Sequence, residues 1–168
     1  LILFDDCRAF AVSSLLPNAV VDDLLPYTKP FHAFVVGDPL LPDCPLVYAN
    51  PLFLDHTGYT IEEVMGRNCR FLQGEKTNKD TVSVIHHAVK NQINLRIDVL
   101  NYKKDGTPFW NRLDIRHVLT SFRPEPYIIG IQIPVAWDQI FRAPIYGGSS
   151  AIAQPHHPWQ TGAAPIKI

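Results

Sequence analysis

The chain has 168 residues, 46% of them hydrophobic, and a formal net charge of −1, which suits one soluble globular domain with extensions and a core of its own. So small a charge excludes a large electrostatic footprint for nucleic acid, and no apolar run approaches the roughly 18 residues of a membrane span. Cys7, Cys44 and Cys69 make neither a paired framework nor a CxxC metal set, so reduced thiols in a cytoplasmic setting are expected, with a nuclear one left open.

Residues 1 to 30 mix apolar runs with Pro17, Pro26 and Pro30. The opening Leu1–Phe4 run is cut off by Asp5 and Asp6, too short for a signal-peptide core. The chain does not begin with Met, which leaves open whether it is a fragment with its effector outside it. Ala19 to Leu25 predicts a short helix with Asn18 as its N-cap. This first segment is read as an extension and not a core element, its apolar residues covering either the domain or a partner chain.

From Phe31 the pattern changes. His32-Ala33-Phe34-Val35-Val36 predicts a strand and Leu46–Ala49 a second, joined through turns at Gly37-Asp38-Pro39 and Leu41–Pro45. Asn50 caps a helical segment that opens on Pro51 and stops at Gly58. Thr60 and Glu63 outline a capping box for another short helix, which Gly66 ends.

The next nine residues, Gly66-Arg67-Asn68-Cys69-Arg70-Phe71-Leu72-Gln73-Gly74, carry the most chemistry. The arginines present planar donor forks for phosphate. The amides of Asn68 and Gln73 suit the edge of a heteroaromatic ring. Cys69 is the one nucleophile, and flanking positive charge is expected to favour its thiolate. The plainer alternative is a helix turn with a buried structural cysteine, which leaves the polar neighbours unexplained.

Thr77 to Asn91 predicts the clearest helix, with Thr77 and Asp80 as a capping box and Val82, Ile85 and Val89 at helical spacing. His86 and His87 lie within it. No Cys, Asp or Glu follows either at i+4, so a zinc site is rejected and a solvated pair is the ordinary reading. Two strands follow around a Lys103–Gly106 hairpin turn. Alternation puts Leu95, Ile97, Val99 and Asn101 on one face of the first, and Phe109, Asn111, Leu113 and Ile115 on one face of the second. Each apolar face thus holds one asparagine. A buried amide without partners costs roughly 1–3 kcal/mol, so the pair points to a polar ligand against the sheet, or else to bonds between the two or to loop backbone. Arg123–Pro126 reads as a turn and Tyr127–Val135 as the last strand. In that strand Ile128, Gly130 and Gln132 share a face, and Gly130 leaves room for a close approach. Trp137, Ile140 and Phe141 suggest a short amphipathic segment. From Pro144 the tail, which includes His156 and His157, is irregular by composition.

The nonapeptide closely resembles the signature of LOV (light-oxygen-voltage) domains, the flavin-binding blue-light sensors of the PAS superfamily. The likeness extends over residues 31–135 through Asp38-Pro39, Leu41-Pro42-Asp43, Tyr48-Ala49-Asn50, Thr57-Gly58-Tyr59, Asn101-Tyr102, Phe109-Trp110-Asn111 and Ile129–Gln132. It is nearest the phototropin type, with short fungal and plant LOV proteins also in view. The resemblance implies an α+β PAS fold: a five-stranded antiparallel sheet with short helices on one face enclosing a flavin. It would divide the chain into an N-terminal cap (1–30), the LOV domain (31–135) and a Pro/Gly-rich C-terminal extension (136–168).

The resemblance also implies roles. Cys69 would form a reversible cysteinyl–C4a adduct on illumination. Asn68, Gln73, Asn101, Asn111 and Gln132 would hydrogen-bond the flavin and its ribityl chain, and Gln132 would relay the signal. Arg70 would meet the phosphate. His86 stands where phototropin-type domains place a second phosphate arginine, and Leu113 where they often place a phenylalanine against the ring. The loop insertion of some fungal and circadian relatives is absent, which favours FMN over FAD. The implied protein is a photoreceptor and not an enzyme, and its signal passes to the terminal extensions. A homodimer through the sheet or those extensions is compatible, and the effector is unassigned. Two other readings are a light-insensitive PAS-type dimerisation module and a flavoenzyme. The second lacks a GxGxxG fingerprint, a metal set and a Ser-His-Asp arrangement.

Overall fold

The computed structural model describes residues 16–135. Helix α1 (Asn18–Leu24) and a 3-10 turn (Leu25–Tyr27) lead into strands β1 (Ala33–Gly37) and β2 (Leu46–Ala49). Short helices α2 (Pro51–Thr57) and α3 (Ile61–Val64) and a 3-10 turn (Cys69–Leu72) precede helix α4 (Lys79–Lys90). Strands β3 (Leu95–Tyr102), β4 (Pro108–Thr120) and β5 (Arg123–Pro134) complete a five-stranded sheet of order β2-β1-β5-β4-β3. Every pairing is antiparallel, as the α+β reading requires.

Strand alternation gives the sheet two apolar faces. Ala33 and Val35 of β1 join Leu46, Phe53, Val64 and Leu72 on the side of the short helices. Phe34 and Val36 join Tyr48, Val118, Tyr127, Ile129 and Ile131 on the other. β1 is therefore buried along its whole length. The second face is closed by α1 and the residue leading into it: Leu16, with Val20, Val21 and Leu24 of the helix, enters the same cluster. Val20 and Leu24 are 0% and 2% exposed, so the apolar stripe of this segment covers the domain itself, one of the two alternatives read from the sequence, and forms part of the core, while Pro26, Tyr27, Lys29 and Pro30 stay exposed. An i, i+4, i+8 stripe needs an apolar partner surface, and the outer face of β1 and β5 supplies one. Asp23 adds a tie across the sheet by accepting from the backbone N–H and hydroxyl of Ser121 at 2.8 and 2.7 Å.

Local boundaries follow hydrogen-bond supply. Asn50 caps α2 as expected: its side-chain oxygen accepts from Phe53 and also from Phe34 of β1, and its nitrogen donates to the His32 carbonyl. Thr60 and Glu63 form the expected capping box. Asn18, by contrast, lies inside α1, because the Pro17 carbonyl already accepts from Val20. The helix ends where Pro26 has no N–H to continue the ladder. Thr77 does not cap α4. Its hydroxyl accepts from Gly74 N–H and donates to the Leu100 carbonyl, and Asn78 caps in its place by accepting from Thr81.

Arg123–Pro126 is strand, not turn. β1 pairs β5 only from Ile128 onward, so Pro124 and Pro126 fall where β5 has β4 on one side alone and a missing N–H is tolerated. Arg123 there forms a bidentate pair with Asp38 at 2.8 Å. Cys7 and everything beyond Val135, including Trp137, Ile140, Phe141 and the His156-His157 pair, lie outside the described residues.

If α1 is part of the core, Leu24→Ala destabilises the chain by about 2–5 kcal/mol, the usual cost of emptying a buried leucine site. Urea unfolding of the parent and the variant would measure this. A change below about 0.5 kcal/mol, the scale of an ordinary surface substitution, would return α1 to the status of an accessory.

Candidate functional site

The short helices do not pack flat against the sheet. Between the 3-10 turn at Cys69, α4 and the inner face of β3, β4 and β5 lies a cavity of about 140 Å³, roughly ten times the volume that a single water needs. Cys69, Asn68, Arg70 and Gln73 line it from the turn, and Asn101, Asn111, Leu113 and Gln132 from the strands. Sheet register brings the latter four together. Asn101 sits opposite Phe109, Asn111 opposite Val99, and Leu113 opposite both Ile97 and Gln132, so the alternation legible in three separate strands converges on one wall.

His86 is the exception. It is exposed on α4 and does not line the cavity; Ile85 and Val89 of the same helix do. Those two share a face at i and i+4, and a neighbouring residue is turned about 100° away from it. A phosphate role for His86 has no support in this placement.

The strand amides are buried and incompletely bonded. Asn111 donates to Asn101 Oδ1 at 2.9 Å, so the two asparagines do meet, as one alternative foresaw. That bond leaves Asn111 Oδ1 without a donor among the described residues, and Gln132 Oε1 likewise. Asn111 and Gln132 are 1% and 2% exposed. Two orphaned acceptors cost roughly 1–3 kcal/mol each, and both belong to side chains that line the cavity. Gly130 lies on β5, two residues before Gln132, opposite Val35 of β1 and Ile115 of β4. A Cβ there would meet Val35 and Leu113 only at ordinary contact distances of 3.4 and 3.7 Å, so the sheet itself does not demand glycine. The open cavity wall is the better reason for it.

The turn is held differently from expectation. Asn68 Oδ1 accepts from Arg70 N–H, and its nitrogen donates to the Asp43 carbonyl at 2.6 Å. Arg70 forms a bidentate pair with the Asp43 carboxylate at 2.5 and 2.7 Å. The Arg67 guanidinium donates to the Glu63 carbonyl and stacks on Phe71. Neither arginine activates the thiol. Burial, with a smaller contribution from Cys44, pushes the Cys69 thiol from 9.0 up to about 12. The expected thiolate is thus replaced by a neutral S–H. Gly74 closes the stretch against the Tyr102 ring, where a Cβ would lie 2.5 Å from ring carbons. Only glycine fits that approach.

Sequence reasoning missed the apolar walls, among them Val35, Leu46, Leu72, Ile85 and Val89, and a second thiol, Cys44. Burial and the nearby Asp38 and Asp43 carboxylates push Cys44 up to about 11. Its position in a turn offered no signal of a cavity.

The lining suits a polar-edged ligand, whose donors would satisfy Asn111 Oδ1 and Gln132 Oε1. A sequence model of the PAS domain family matches residues 32–133. The LOV domain from Erythrobacter litoralis EL346 blue-light activated histidine kinase is 37% identical, with a TM-score of 0.59 over 64% of this chain and 97% of that one. The light-state structure of the blue-light photoreceptor Aureochrome1 LOV is 38% identical, with a TM-score of 0.62 over 66% of this chain and 87% of that one. The chain is a LOV domain of the PAS family.

Among curated relatives, a blue-light-activated histidine kinase of Brucella anthropi is 44% identical over 101 residues, 60% of this chain and 21% of that protein. Phototropin-2 of Oryza sativa subsp. japonica is 41% identical over 100 residues, 60% of this chain and 11% of that protein. The LOV domain thus spans well under a third of either. No helix among the described residues is long and apolar enough to cross a membrane.

The thiol assignment has a direct check. The folded LOV domain keeps a proton on Cys69 that the unfolded chain releases above its ordinary value, so this contribution to stability is complete below about pH 9 and is lost as pH rises towards about 12. Accordingly, iodoacetamide at about pH 8 should alkylate native Cys69 at least tenfold more slowly than the urea-unfolded chain. Mass spectrometry of the peptide carrying Cys69 gives both rates, and equal rates would refute a buried, neutral thiol.

Proposed function

We propose that this LOV domain is a blue-light sensor that holds FMN noncovalently in the cavity, with Cys69 as its photoreactive thiol and Gln132 as its signal relay. The observation that carries the proposal is one cavity that holds a half-buried, neutral thiol on the turn and, on the strands, two buried amide oxygens without donors among the described residues. When bound, a flavin would supply light absorption and an electrophilic ring carbon, and Cys69 would supply both the sulfur and its proton.

The protein contributes position and proton control. The 3-10 turn fixes Cys69 at the cavity wall, so sulfur and ligand meet without a diffusional step. The raised thiol value keeps the proton on sulfur in the dark, so nucleophile and proton are delivered from one atom. Asn101, Asn111 and Gln73 hold the polar edges of the ligand. Gln132 carries both an acceptor and a donor end, so rotation of its amide answers a change in protonation at the ligand edge. Gln132 faces Ala33 of β1 and Leu113 of β4, and its neighbours Ile131 and Ile133 pack with α1 on the other face. A turn of this amide therefore bears on β5 and α1 together. The short Glu75–Asn78 connection between the motif and α4 favours FMN over a bulkier dinucleotide.

The domain is read as a sensor and not an enzyme; kinase output is named for relatives that are several times longer. A cytoplasmic setting, where thiols stay reduced, and a dimer through the sheet or terminal segments accompany this reading.

Absorption spectra before and after a blue pulse test it. The parent should show a structured blue band that bleaches and recovers in darkness. Cys69→Ala should keep the band and lose the bleaching; reversible bleaching in that variant would end the thiol model. Gln132→Leu should still bleach, while light-induced change in hydrogen exchange across α1 and β5 shrinks by at least about half. Undiminished exchange changes would remove Gln132 from the relay.

A further inference from the structure

Arg70 is the one cationic side chain among the cavity-lining residues, since His86 is turned away. Its guanidinium is already engaged by both oxygens of Asp43 at 2.5 and 2.7 Å. The partnership is built into the fold. Asp43 sits at φ 69, in the left-handed region, and its carbonyl is held by Asn68, two residues before Arg70. Asp38, the other carboxylate of this loop, is committed to Arg123, so Asp43 alone faces Arg70.

We infer that Asp43 is a specificity-determining residue, a competing carboxylate that occupies both Nη atoms of Arg70 and so compresses the preference of the site for phosphorylated over unphosphorylated flavin. The inference rests on the flavin reading above and concerns only its phosphate end. A flavin phosphate arriving at Arg70 must compete with a carboxylate that already takes one N–H from each of its two Nη atoms. The contacts made from the strands, through Asn101, Asn111 and Gln132, do not depend on this exchange. Riboflavin should therefore bind nearly as well as FMN.

Affinities of the full chain for riboflavin and FMN, measured in the dark by quenching of flavin fluorescence, test this. FMN should bind the parent less than about tenfold more tightly than riboflavin. Asp43→Asn should tighten FMN roughly fivefold, the scale of a solvent-exposed ion pair, and leave riboflavin within about twofold. Asparagine is chosen because it tolerates the left-handed conformation and keeps the backbone carbonyl that Asn68 needs; Asp43→Gly, which suits the same φ, is the second variant. In an Arg70→Gln background neither substitution should help FMN. Unchanged FMN affinity in both variants, an equal gain for riboflavin, or a gain that survives loss of Arg70 would overturn the inference and leave the flavin reading standing. Loss of riboflavin as well as FMN from the folded parent would overturn both.

Discussion

The period-two alternation of β1 and β5 is the constraint on which the rest of this domain depends. In β5, Ile129 and Ile131 point to the outer face and pack with α1, while Ile128, Gly130 and Gln132 point inward to the cavity. The same strand thus builds a dense core on one side and the wall of a hollow on the other. A cavity forfeits packing, and two buried amide oxygens without donors add to the cost. The outer cluster, in which Ile129 and Val20 are both 0% exposed, offsets that cost. This explains why Val20, Val21 and Leu24, in a segment that reads as an extension, are as deeply buried as the sheet.

Around the thiol, local sequence and local environment oppose each other. Two arginines flank Cys69, and proximity in sequence suggests a stabilised thiolate. In the folded chain Arg70 is turned to Asp43 and Arg67 to Glu63 and Phe71, so neither charge is spent on the sulfur. Desolvation then dominates and keeps the proton in place. A neutral thiol suits a sensor that must stay inert in darkness, because an exposed thiolate would react with any electrophile that entered.

Much of the site was legible because its parts are periodic or contiguous. Alternation alone put Asn101, Asn111 and Gln132 on inward faces, and the hairpin turns fixed the register that joins them. Capping at Asn50 and at Thr60 with Glu63 was readable because those partners lie three residues apart. The exceptions share a cause. Thr77 was mistaken for a cap because its true partners include Leu100, distant in sequence. His86, placed at the phosphate end by likeness to a family position, is exposed on α4 and does not line the cavity, because helix phase brings Ile85 and Val89 there instead. Arg123–Pro126 looked like a turn because the sequence does not show that β5 lacks β1 as a neighbour there.

The amino-acid sequence by itself thus determined the strand faces, the short capped helices, the motif around Cys69 and membership of a light-sensing family, all features set by neighbours within a few residues. The tertiary structure alone decided that α1 belongs to the core, that Cys44 faces the same hollow as Cys69, that Arg70 is held by Asp43, and that the thiol is neutral. Each of these depends on contacts between segments far apart in the chain, where burial and charge are set by what folds against a residue and not by what precedes it.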